Sequence, residues 1–194
     1  MGLRRGFKTE ANRLSIATRE DVGLQATDRL DPMALAEHRS IKVIGLAEYG
    51  RIAGCEDAVR VLLTTERSSF SAMTLMVGPE RYVVHNESHA ATRQASNLAH
   101  ELAHEILGHP AAKAIGDGGC RCFDDDLEDE ADWLAGALLV PREGALVLMR
   151  RGMPPREVAE HFGVSMQMCN YRLRITGVLR QMERTQTLAT RRRR

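Results

Sequence analysis

The chain has 194 residues, 43% hydrophobic and 4% aromatic, with four Cys and a net charge of +1 from 27 bases and 26 acids. Such a chain is too apolar to be disordered and long enough to bury a core without disulfide or metal staples. The charge balance excludes a uniformly basic polyanion binder, and no apolar run approaches the roughly 20 residues of a membrane helix.

The opening residues carry bases but no apolar stretch behind them, so no secretory signal is predicted. Four scattered Cys then point to reduced thiols in a cytoplasm. Thr9 to Leu24 reads as an amphipathic helix with Leu14, Ala17 and Leu24 near one face. Asp31-Pro32 is a helix start, a cap followed by an N1 proline. Residues 41–47, IKVIGLA, read as a strand, and Cys55 to Thr65 fits either a short helix or a buried strand. FSAMTLMV (70–77), Gly78-Pro79 and RYVVH (81–85) form a hairpin pattern. A helical pattern runs from about Ala90 to Leu107 and ends at Gly108 and Pro110. A second strong helix runs from Asp124 to Val140, with acids in its first turn, where the helix dipole favours them. Shorter helices follow at 142–151, 154–162 and 166–176. This order of elements predicts an α+β fold, mostly helical, with a small antiparallel sheet.

His100-Glu101-Leu102-Ala103-His104 is an HExxH motif within the first strong helix. Histidines at i and i+4 lie about 40° apart and one turn apart, so both rings can reach one zinc ion. Glu101 sits beside the ligand face, where it can act as general base towards water. A catalytic zinc takes three protein ligands and keeps an open position. On a continued helix His109 points about 180° away from His100, so it is expected to be a surface or helix-end residue. The acids of the second helix suit better. Glu128 and Asp132 share a face at i, i+4: one can ligate and the other can accept the free N–H of a ligand histidine. Glu128 is the expected third ligand, with Glu130 as its competitor. Asp124, Asp125, Asp126 and Asp129 are expected to be solvated.

AHELAHEILGH followed by LEDEADWLAGALLVP resembles the ImmA/IrrE family of metallopeptidases, and the upstream YVVHNESHAATRQASNLAHELAH fits as well. The likeness runs from about Arg81 to Pro141. It implies a zincin-like domain related to gluzincins, whose third ligand opens an ExxxD or ExxxN pattern. Here that is Glu128, with Asp132 as the outer partner of a histidine. It also implies cleavage or inactivation of helix-turn-helix repressors, derepressing stress or mobile-element genes. The oxyanion-stabilising group is not specified; His85, His89 and Tyr82 are candidates by their nearness to the motif helix in sequence.

PPREVAEHFGVSMQMCNYRLRITG resembles a helix-turn-helix, with Val158, Ala159, Phe162 and Val164 packing and Gly163 turning. Arg172 and Arg174 on its second helix are candidate contacts to nucleic acid or to a protein partner. The expected organisation is a peptidase domain at 1–152, a helical module at 153–184 and a mobile basic tail at 185–194. Cys120 and Cys122 are expected to be free thiols in a loop, and Cys55 and Cys169 packing residues. Two rival readings remain: a DNA-associated regulator with a structural zinc, and a non-proteolytic antirepressor.

The net charge also hides an asymmetry. Residues 121–141 hold seven acids and one Arg, whereas residues 142–194 hold twelve Arg and four Glu. Any polyanion or acidic partner is therefore expected at the C-terminal end.

Overall fold

The structure, a computed structural model, describes residues 2–110 and 124–192, with side chains through residue 185. Cys120 and Cys122 lie outside the described residues. The elements run α1 (Phe7–Asp21), α2 (Pro32–His38), β1 (Lys42–Gly45), α3 (Leu46–Ala53), α4 (Glu56–Thr64), β2 (Ala72–Val77) and β3 (Glu80–His85). They continue with α5 (Ala91–Ile106), α6 (Asp125–Leu139), α7 (Arg142–Arg150), α8 (Pro155–Phe162), α9 (Met166–Ile175) and α10 (Val178–Arg192).

The strand predicted at 41–47 is cut short. Leu46 and Ala47 donate their backbone N–H groups to Glu87, at 2.7 Å and 3.0 Å, which caps α3 from about 40 residues away. A carboxylate there satisfies orphan N–H groups and opposes the positive end of the helix dipole. The ambiguous stretch after Cys55 is helical. The three strands form one sheet in the order β1-β3-β2. β2 and β3 make the expected antiparallel hairpin, but β1 runs parallel to β3, so the sheet is mixed rather than wholly antiparallel. The reason is topological: α3 and α4 carry the chain from β1 to the far edge before the hairpin returns β3 to the centre.

Central β3 faces two ways. Val83 packs with Leu98 and Leu102 of α5, whereas Val84 packs with Leu46 and Val59 of α3 and α4. Alternation along a strand requires this division. Thr74 of β2 is paired with Val83, so the two share the face that looks at α5.

Helix α6 is the axis of the helical part. It buries Ala131 and every residue from Leu134 to Leu139, because its second half is apolar on all sides. Its last carbonyls are capped from neighbouring helices. Ser15 Oγ donates to Ala137 O at 2.7 Å, Arg19 Nη2 to Leu138 O at 2.7 Å, and Arg172 Nε to Val140 O at 3.4 Å. One apolar cluster joins Phe7, Leu134 and Leu138 to Val158, Phe162, Leu173 and Val178. Residues on both sides of position 152 therefore share a core. Helix α10 carries the backbone as helix through Arg192, where the sequence suggests a mobile tail from Thr185. Leu179 and Met182 pack its first turns against the core.

Gly144 lies inside α7, where alanine is the better helix former by about 1 kcal/mol. A Cβ at this position would stand 1.9 Å from the carbonyl oxygen of Ala26. Backbone on both sides leaves no flexible group to yield. Gly144→Ala is therefore expected to destabilise the protein by about 1–3 kcal/mol, measured by urea unfolding. A gain in stability would mean that the contact of α7 with the 26–27 loop is looser than described.

Candidate metal centre

Two helices build the site. His100 and His104 stand one turn apart on α5, and Glu128 comes from the first turn of α6. The helices contact each other. Ala99 and Ala103 of α5 and Ala131 and Ala135 of α6 are buried in the shared core, and side chains this small let two backbones approach closely. The donor atoms of His100, His104 and Glu128 lie within 4.8 Å of one another. His100 Nε2 is 3.0 Å from His104 Nε2 and 3.1 Å from Glu128 Oε2, and His104 Nε2 is 3.5 Å from Glu128 Oε1. Ligands about 2.0–2.1 Å from a tetrahedral ion stand about 3.3 Å apart. The cluster fits such an ion, and two imidazoles with one carboxylate are a donor set suited to a first-row divalent metal.

Hydrogen bonds orient both rings. His100 Nδ1 lies 2.8 Å from Asp132 Oδ1, the pairing expected for Asp132. Burial opposes charge on the His100 ring, but Asp132, Glu101 and Glu128 outweigh it and its pKa is raised. Burial and then the neighbouring His100 push His104 down to about 4, so its nitrogen lone pair is available at neutral pH.

Glu101 is not among the three clustered donors. Its Oε2 accepts a hydrogen bond from Thr74 Oγ1 at 2.6 Å, across the sheet–helix interface. The sequence alone does not single out Thr74, whose one signal there is a hydroxyl inside an otherwise apolar strand.

His109 is not a surface residue. It is 7% exposed, and its Nδ1 lies 2.9 Å from His104 Nδ1. The helix does not continue to it. Gly108 adopts φ +69°, its N–H donates to Glu105 O, and the His109 N–H donates to His104 O. This is a Schellman turn, which folds the second residue past the helix back onto the last turn. Glu130, the competitor for third ligand, is 8% exposed and faces His109 and Arg4. Asp124, Asp125, Asp126 and Asp129 are exposed as expected.

The other candidates lie apart from the cluster in their contacts. His89 bonds the Arg67 carbonyl at 2.7 Å and Asn97 at 3.2 Å. Tyr82 donates to Glu80 at 2.6 Å and accepts from Lys42. His85 is buried at the end of β3, and burial lowers its pKa. Arg172, a candidate contact by sequence, does not lie at the surface. It is 1% exposed against α6, beside the Trp133 ring, and burial lowers its pKa to about 10. A guanidinium so placed cannot reach a phosphate. Arg174, two residues on, is exposed.

Residues 61–174, more than half of the chain, match the peptidase family model described as the IrrE N-terminal-like domain. No curated protein matches the chain. The matched span contains β2, β3, the two helices that carry the cluster, α7, α8 and all but the last residue of α9, in order. With a metal-competent triad inside that span, the chain belongs to the ImmA/IrrE family of metallopeptidases.

Proposed function

We propose that the chain is a zinc-dependent endopeptidase that cleaves a helix-turn-helix transcriptional repressor in the cytoplasm. The observation that carries the zinc-peptidase reading is the convergence of His100, His104 and Glu128, with Glu101 between the two histidines on one helix. This is the ligand set of a gluzincin-like site, two histidines of HExxH and a glutamate from the next helix. Zinc, when bound, supplies Lewis acidity and a water that is acidic near neutral pH. Glu101 holds its carboxylate through the Thr74 hydrogen bond at Oε2. Its other oxygen, Oε1, takes the proton of the attacking water and returns it to the leaving amine nitrogen. Asp132 fixes the His100 ring by accepting from Nδ1.

Kinship with the ImmA/IrrE family supports the repressor as substrate, and with it the release of stress or mobile-element genes. The described cysteines are compatible with a reducing compartment. Cys55 and Cys169 are both free thiols.

The test is incubation of the zinc-loaded protein with a helix-turn-helix repressor encoded beside its gene, with and without chelator. Mass spectrometry should find new peptide termini that chelator suppresses. An intact repressor held in a stoichiometric complex would instead establish the antirepressor reading. Binding to DNA at physiological salt without cleavage would favour the regulator reading.

Thr74→Val provides a finer test. Removing a hydrogen bond to a carboxylate is worth about 1.5–3 kcal/mol. The variant is expected to lose about tenfold or more in kcat with zinc affinity unchanged, since Thr74 touches no ligand. Unchanged kcat would remove Thr74 from the machinery.

A further inference from the structure

We infer that His109 is a positioning residue for His104, held in turn by Glu130 and Arg4. The inference rests on the metal-site reading above. His104 directs Nε2 at His100 and Glu128, 3.0 Å and 3.5 Å away. An imidazole that ligates through Nε2 carries its hydrogen on Nδ1. That hydrogen points at His109 Nδ1, 2.9 Å away. His109 must therefore accept at Nδ1 and carry its own hydrogen on Nε2. His109 Nε2 faces Glu130 Oε2 at 3.6 Å, and the other Glu130 oxygen accepts from Arg4 Nε at 2.6 Å. Arg4 also donates to Glu10 at 2.8 Å, which ties the chain ahead of α1 into the same line.

Burial separates His109 and Glu130 from ordinary surface pairing, while Arg4 at the outer end is half exposed. His109 and Glu130 are 7% and 8% exposed. A carboxylate removed from water needs a partner to remain charged. Arg4 Nε supplies the opposite charge at 2.6 Å, and His109 Nε2 stands 3.6 Å away. The two histidines of the site are thus oriented differently. His100 leans directly on Asp132, whose side chain is 77% exposed, whereas His104 leans on a second imidazole backed by a buried carboxylate. The Schellman turn at Gly108 makes this possible by returning His109 to the last turn of α5.

The test uses the full chain stripped of metal. The zinc dissociation constant is read by competition with a chromophoric chelator, and the cobalt-substituted spectrum reports coordination geometry. His109→Phe keeps an aromatic ring but cannot accept a hydrogen bond. It is expected to weaken zinc by about 10–100-fold and alter the cobalt spectrum. His109→Asn keeps an acceptor near the position of Nδ1 and should restore most of that loss. A merely structural role predicts the opposite pattern: both variants lose stability in urea and neither changes metal affinity, which would overturn the inference. Should His109→Phe not fold, Glu130→Gln takes its place. It keeps the volume, removes the charge facing His109 Nε2, and should weaken zinc at least about threefold; an unchanged constant would overturn the inference. Failure of the unaltered chain to bind zinc at all would overturn the metal-site reading itself, and is distinguished by that control.

Discussion

Glu101→Gln is expected to lower kcat/KM on a peptide substrate by about 10²–10⁴-fold while leaving zinc affinity unchanged. Gln matches Glu in shape and can still accept from Thr74, so the local geometry at 2.6 Å survives. What it lacks is a basic oxygen to take the proton of the attacking water. Because the metal cluster is made by His100, His104 and Glu128, removal of the Glu101 charge leaves all three donor atoms in place. Peptide hydrolysis and zinc titration on the same preparation separate the two effects. Equal hydrolysis by both proteins would remove Glu101 as general base. Equal derepression in cells, with hydrolysis abolished, would point to the antirepressor reading.

Removal of the metal is expected to lower stability as well as to abolish activity. Zinc bound to the folded chain alone, at a free concentration a thousandfold above Kd, contributes about 4 kcal/mol. For a chain of this size each kcal/mol moves Tm by about 2–4 °C, so chelation should lower Tm by about 8–16 °C. The sign follows from where the ligands sit. His100 and His104 belong to α5 and Glu128 to α6, so one ion would join two helices that unfolding separates. His104→Ala should abolish the response to zinc in a thermal scan. A Tm that ignores both zinc and chelator would mean that the cluster does not hold the ion.

Most elements were legible because their signals are local. The i, i+4 spacing places His100 and His104 on one side of α5 without tertiary information. The acidic first turn, apolar body and Pro141 bound α6 in the same way. Where the sequence misled, the missing information came from other parts of the chain. Leu46 starts a helix rather than ending a strand because Glu87 caps it. β1 joins the sheet in parallel because of where two helices return the chain. Arg172 lies in a stretch that reads as a basic helix face, yet its neighbours on the helix, Cys169 and Leu173, are buried with it against α6.

By itself the sequence determined the motif, the order of elements and the residues able to ligate. Those follow from side-chain chemistry and helical periodicity, which act over a few residues. Asp132 behind His100 was readable from helical spacing, whereas the tertiary structure alone decided the remaining supports of the site. Thr74 reaches Glu101 through strand pairing, and Gly144 stays small because Ala26 O lies against it. His109 illustrates the divide best. Periodicity carried forward from His100 turns it away, whereas one glycine at φ +69° ends the helix and brings it back to His104. A single left-handed residue reverses the direction of the chain, so angles extrapolated along a helix lose their meaning at its C-terminus.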